Sequence, residues 1–138
     1  MKILGVDVGS KRVGLAVSDE LGLVAGPLTV LARDDLGEVA RVIEEEKVRE
    51  VVIGLPRRSD GSYGPEAAEV RAYAEELRAA IPEHVKVTFW DERFSTVSAE
   101  RYLIEADVRR RRRREIIDKV AASLILQAYL DHRNRHNR

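Results

Sequence analysis

The chain has no cysteine among its 138 residues. That excludes disulfides, thiolate catalysis and cysteine-held zinc, and it is compatible with a reducing compartment. No apolar run approaches the ~18 residues of a membrane span. The N-terminus, Met1-Lys2-Ile3-Leu4, reads as the start of a strand with an acid close behind, not as a secretory leader. Aromatic residues make up only 5%. Tyr63, Trp90 and Phe94 are scattered and read as structural, so no aromatic-rich strand marks a stacking surface for unpaired bases. The three histidines form no pattern either: His84 precedes a strand, and His132 and His136 fall in a tail expected to be exposed. No Ser-His-Asp arrangement and no Walker sequence is visible. Net charge is absent too, with 24 basic and 24 acidic side chains.

That zero conceals an asymmetry. Residues 109–138 carry ten Lys/Arg (Arg109 to Arg114, Lys119, Arg133, Arg135, Arg138) against three acids, a net +7, which leaves −7 on residues 1–108. A basic end of this kind suits a polyanionic partner. A solvated basic surface is the plain alternative. The length and the 44% apolar share fit one globular domain over residues 1–138, large enough for a real core. The charged share of 35% is high, as in heat- or salt-adapted surfaces.

The order of elements is β-β-β-α-β-α-β-α-α. A hairpin runs from Lys2 to Asp19, with Gly9-Ser10-Lys11-Arg12 as its tight basic turn. A third strand, Leu23 to Ala32, is opened by Gly26-Pro27, completing an antiparallel meander. Asp34-Asp35 begins a helix whose apolar positions run from Leu36 to Ile43 and which ends near Lys47. Glu50 to Leu55 is a short apolar strand of the kind buried on both faces. The loop Pro56 to Gly64 turns at Asp60-Gly61, and Pro65 fits the first position of a helix over 66–80. Val85 to Trp90 alternates as a fifth strand. Ser95 or Thr96 caps a short helix through Ala106, and a last helix runs from Glu115 to about Asp131. The fold class expected is α/β: a five-stranded mixed sheet, with a three-strand meander plus two parallel strands, and helices on both faces.

Three acids stand out by position. Asp7 sits inside the apolar strand Ile3-Leu4-Gly5-Val6-Asp7-Val8, where a carboxylate costs on the order of several kcal/mol unless a cation or donors compensate it. Glu92 lies just past the fifth strand, and sites in open α/β sheets gather beyond the carboxyl ends of strands. Asp118 opens the final helix, on the face of Ala122, Ile125 and Tyr129. The small Ala121 and Ala122 would let that helix approach the sheet and bring Asp118 within reach of Asp7. Each acid also has a structural alternative. Asp7 can bond the following turn, Asp118 can favour the helix dipole at ~0.3–1 kcal/mol, and Glu92 can pair with Arg93. Taken together, three carboxylates around one spot repel and need protons or a cation. Oxygen ligands without His or Cys select Mg²⁺ or Mn²⁺. Two such ions can activate a water and stabilise the leaving oxygen of a phosphodiester. Lys11, Arg12, Arg57, Arg58, Arg93 and the run Arg109, Arg110, Arg111, Arg112, Arg113 and Arg114 are candidates for phosphate contacts. Solvated charge is the alternative for each arginine singly.

The stretches GVDVGSKRVGLAVSD (5–19), VVIGLPRRSDGSYGPEAAEVRAYAEEL (51–77), FWDERFSTVSAE (89–100) and IIDKVAASLILQAYLD (116–131) together resemble the YqgF/RuvX family. Its members are treated as Holliday junction resolvases or, more generally, as pre-16S rRNA nucleases, within the ribonuclease H-like superfamily. The resemblance implies a ribonuclease H-like fold and places Asp7, Glu92 and Asp118 on the family's catalytic carboxylates. It also implies a cytoplasmic enzyme that matures the 5′ end of small-subunit rRNA. Relatives more often carry Leu and Asn after Pro56, a Gly in place of Asp107, and a Lys/Arg mixture in place of six arginines.

The expectation is therefore a metal-dependent nuclease with RNA as the favoured partner, monomeric or homodimeric. Branched DNA is the alternative substrate, and symmetric junction cutting calls for two sites related by a two-fold axis. A non-catalytic nucleic-acid-binding assembly factor would have no need of the three acids. An actin-like ATPase shares an Asp-x-Gly hairpin but closes a second half around ATP.

Overall fold

The apolar stretch around Asp7 becomes the middle strand of a five-stranded sheet. The computed structural model describes residues 1–58, 60–92 and 113–136, with side chains for all of these except 92 and 113–118. The strands are β1 (Lys2–Val8), β2 (Arg12–Ser18), β3 (Ala25–Ala32), β4 (Val48–Pro56) and β5 (Lys86–Glu92), in the spatial order β3-β2-β1-β4-β5. β1 pairs antiparallel with β2 and β2 with β3, whereas β1–β4 and β4–β5 are parallel. The helices are α1 (Leu36–Glu45), α2 (Pro65–Ala80) and α3 (Arg113–His136). This is the mixed sheet expected from the element order.

Strand alternation divides the core in two. Leu4, Val6, Val13, Leu15, Val51, Ile53 and Leu55 pack with Val39, Val42 and Ile43 of α1 and Val70, Ala74 and Leu77 of α2. Ile3, Ala16 and Val52 point the other way, onto Ala122, Ile125, Leu126 and Leu130 of α3. Because both faces are covered, β1 and β4 are apolar almost throughout instead of alternating. α3 comes close at Gly5: a Cβ there would lie 2.7 Å from Leu126 Cβ and 2.9 Å from the Ala122 carbonyl oxygen. The run of small residues in α3 thus meets a strand position with no side chain.

Local chemistry accounts for the other boundaries. Asp35 caps α1, its carboxylate accepting from the Glu38 N–H at 3.2 Å, and Pro65 sits in the first turn of α2. β3 begins at Ala25 and not at Leu23 because Asp19 Oδ1 captures the N–H groups of Leu23 (2.7 Å) and Val24 (3.1 Å). Those two bonds hold the Asp19 carboxyl below its usual range. Pro27 lies inside β3, beside a register irregularity, instead of opening the strand. β3 is an edge strand, where a residue without an N–H is tolerated. α3 runs five residues beyond Asp131, so His132 and His136 are helical and not in a loose tail. His132 stacks at 5.2 Å on Trp90, and Asn134 donates to the Gly22 carbonyl at 3.1 Å. The short helix expected between Ser95 and Ala106 lies outside the described residues. Among the described residues, no helix is long and apolar enough to cross a membrane.

Candidate active site

The carboxyl ends of the three parallel strands, at Val8, Pro56 and Glu92, share one edge of the sheet. Asp7 stands at that edge and is buried, only 7% exposed. It has the parity of Ile3 and Gly5, so it belongs to the face covered by α3. Its partner on β2 is Gly14. On β4, Val6 pairs with Ile53, so Gly54 follows alongside Asp7. The positions directly opposite Asp7 on both neighbouring strands are therefore glycines. Glycine inside a strand weakens it and often marks a close approach of another group. Gly14 and Gly54 were not singled out by sequence reasoning, although their place inside two apolar strands is the signal that could have found them.

The course of α3 relates position 118 to this point. Ala122 meets Gly5, while the far end of the helix reaches Ala25 and Gly22 through Gln127 and Asn134. The helix thus begins at the edge that carries Asp7. Position 118 falls one turn before Ala122, and Asp7 lies two residues beyond Gly5. Both steps advance about 6–7 Å toward that edge. Asp118 is the sixth residue of α3, not its opening residue. The macrodipole acts within the first turn, so that structural alternative loses its basis. Arg113 and Arg114 are the first described residues of α3. Glu92 is the last residue of β5 and not a residue beyond it, in register with Pro56. It has the parity of Thr88 and Trp90, two strands from β1, about 10 Å at the backbone. Side-chain geometry at 92 and 118 lies outside the described residues.

The turn after Asp7 is tightly held. Gly9 donates its N–H to the Arg12 carbonyl at 2.8 Å, and a Cβ on Gly9 would meet that same oxygen at 2.8 Å. Arg33 clamps the turn from outside. Its side chain donates to the Gly9 carbonyl at 3.1 Å and its backbone N–H to the Lys11 carbonyl at 3.0 Å. Nothing local in the sequence ties Arg33 to a turn 24 residues earlier. Lys11 is exposed and Arg12 half-buried. Arg58 is exposed, while Arg57 is engaged: it donates to Tyr63 Oη at 2.6 Å and pairs with Asp91 at 3.1 Å. The bond to Tyr63 raises the Arg57 pKa further, burial opposing it. Arg93 and Arg109 to Arg112 lie outside the described residues.

The α3 face holds a second buried carboxylate at the opposite end of the sheet. Glu50 Oε2 accepts from Thr88 Oγ1 at 2.7 Å and from Tyr129 Oη at 2.6 Å. Burial and that bond push the Tyr129 hydroxyl up to about 12. Its partners are neutral hydroxyls, and it joins β4, β5 and α3.

The architecture is the ribonuclease H-like fold. The solved structure of Thermus thermophilus RuvC in complex with a Holliday junction substrate superposes with a TM-score of 0.51, at 15% identity, over 96% of this chain and 95% of that one. A second RuvC structure from the same organism also gives 0.51, over 95% and 97%. Sequence goes further. The family described as "RuvX: Holliday junction resolvase" matches residues 1–132, and the chain belongs to that family. A Carboxydothermus hydrogenoformans protein named "Putative pre-16S rRNA nuclease" is 49% identical across 99% of this chain and 100% of its own length. A Myxococcus xanthus protein of the same name is 50% identical across 95% and 88%.

Proposed function

We propose that this chain is a metal-dependent nuclease of the cytoplasm that hydrolyses phosphodiester bonds in the 5′-end maturation of pre-16S rRNA. Asp7, Glu92 and Asp118 are its metal-binding carboxylates. The observation that carries the reading is Asp7: a buried carboxylate at the carboxyl edge of the central strand, with glycine on both neighbouring strands. The donor set fits a hard divalent ion, Mg²⁺ or Mn²⁺, since it consists of carboxylate oxygens with no sulfur or imidazole in the proposed set. When bound, such ions supply a polarised water and charge neutralisation at the leaving oxygen. Asp7, on a strand fixed from both sides, gives the set its rigid member. Lys11, Arg12 and Arg58 offer positive charge at the same edge. Arg113 and Arg114, the first described residues of α3, are further candidates for phosphate contact. These contacts hold a backbone in place without reading bases, and binding should weaken steeply with salt.

The relatives' name favours structured precursor RNA, and the family's description keeps a four-way DNA junction as the second substrate. The test is a cleavage panel in Mg²⁺ of an rRNA precursor with its 5′ extension, single-stranded RNA and a four-way junction, using the parent and Asp7→Asn. RNA cleavage lost in the variant supports the reading. Cleavage undiminished in Asp7→Asn defeats the metal site, and cutting confined to the junction shifts the substrate to DNA.

A further inference from the structure

Beside the proposed carboxylates lies a network that the reading above does not use. Asp91, next to Glu92, receives Tyr63 Oη at 2.9 Å on one carboxylate oxygen and the Arg57 guanidinium at 3.1 Å on the other. Arg57 also donates to that same Tyr63 Oη at 2.6 Å, which closes a triangle between the 57–64 loop and the strand end. The Tyr63 ring carries the guanidinium carbons of Arg57 and Arg71 at 4.6 and 4.7 Å from its centroid. Arg71 belongs to α2, so the ring is tied to that helix by a cation–π contact as well.

The end of β5 has need of such a tether. Among the described residues β5 is an edge strand, with β4 as its only neighbour in the sheet. The final pair of their ladder is Pro56 with Glu92, and Pro56 has no N–H to give. Among the described residues, the last residue of β5 is thus held by a backbone ladder on one side alone. Alternation sends Asp91 to the opposite face of the sheet from position 92. A grip on Asp91 therefore fixes the backbone at 92 without occupying the face on which the proposed metal carboxylates gather.

We infer that Arg57, Tyr63 and Asp91 form a latch that positions Glu92 for the divalent ion, with Arg71 bracing the tyrosine. This rests on the reading of Glu92 as a metal-binding residue. It makes Tyr63 and Asp91 positioning residues and commits Arg57 to the latch, away from the substrate phosphate. Partners that orient metal-binding side chains typically contribute 10–100-fold to affinity or activity.

The test titrates the full chain with Mn²⁺, without nucleic acid, following free Mn²⁺ by its paramagnetic resonance, and measures cleavage against Mg²⁺ concentration. Tyr63→Phe and Asp91→Asn are each expected to weaken Mn²⁺ binding about tenfold. Each should raise the half-saturating Mg²⁺ by a similar factor, with the rate at saturating Mg²⁺ within about twofold of the parent. In a Glu92→Gln background, Tyr63→Phe should have no further effect on Mn²⁺ binding, which a merely structural tyrosine would not produce. Parental Mn²⁺ binding in both single variants overturns the latch, as does an equal loss with and without Glu92. Parental Mn²⁺ binding by Glu92→Gln alone overturns the role of Glu92 and the latch with it.

Discussion

The two faces of the sheet are built from different chemistry. The face under α1 and α2 is branched and aliphatic, with Leu4, Val6, Val13, Leu15, Val51, Ile53 and Leu55 in one cluster. The face under α3 holds glycine at 5, 14 and 54, and all three buried polar or charged residues of the described chain: Asp7, Ser18 and Glu50. Large side chains that interdigitate supply stability per area removed from water. Small ones let a helix close in, and at 14 and 54 they stand directly opposite a carboxylate. The division places most of the packing on one side and the chemistry on the other. Asp7 and Glu50 show a further division within the α3 face. Glu50 is satisfied by two hydroxyls and joins three elements, whereas Asp7 sits at the strand-end edge where the loops meet.

If the faces divide in this way, substitutions should separate by readout. Ile53→Ala, on the α1/α2 face, should cost about 2–5 kcal/mol of stability by urea unfolding, with cleavage per folded molecule unchanged. A loss of activity at full stability would break the comparison. Asp7→Asn should do the reverse: cleavage falling by more than about 100-fold, beyond what an outer partner of a metal site contributes, while the chain stays folded. Gly5→Ala sits between the two. Its added methyl meets Leu126 and the Ala122 carbonyl, so overpacking of about 1–3 kcal/mol is expected. The displaced helix should lower cleavage as well.

Tyr73, buried, and Tyr129, half-buried, sharpen the contrast at smaller magnitude. Tyr129→Phe removes one of the two hydroxyls on Glu50 and should cost about 1–2 kcal/mol. Tyr73, on the opposite face, is buried, and its hydroxyl has no hydrogen-bond partner among the described residues. Tyr73→Phe should therefore be neutral or stabilising by up to about 1 kcal/mol. Burial is the main cause raising both hydroxyls to about 12. The folded chain then keeps protons that an unfolded tyrosine releases above its ordinary pKa of about 10. Their contribution is complete below about pH 10 and is lost as the pH rises toward about 12. Each Phe variant should flatten that alkaline fall in a series of unfolding curves.

Asp7 was legible at once, since one acid in an apolar strand carries its own cost. The hairpin, the helix start at Asp34-Asp35, Pro65 and the parallel character of the Glu50–Leu55 stretch were equally local signals, and the structure contains each. The start of β3 was misplaced by two residues because an aspartate that caps a loop looks like any surface acid until its two N–H donors are in view. The end of the last helix was placed near Asp131 and not at His136 because stacking of His132 on Trp90, some 40 positions away, holds that last turn of α3; His136 itself is exposed, as expected. Arg57 read as a candidate for phosphate contact with no sign of its bond to Asp91, since that engagement depends on a loop folding back onto a strand end. Glu50 gave no sign of burial for the same reason: Thr88 and Tyr129 lie 38 and 79 residues away.

The sequence by itself determined the kinds of element, their order and the singular position of Asp7, because periodicity, capping and the cost of a buried charge act within a few residues. Only the tertiary structure decided that Gly14 and Gly54 flank Asp7, that Arg33 clamps its turn and that Tyr63 holds Asp91. Those relations depend on strand order and register, which are settled jointly by packing on both faces of the sheet and not by any one segment.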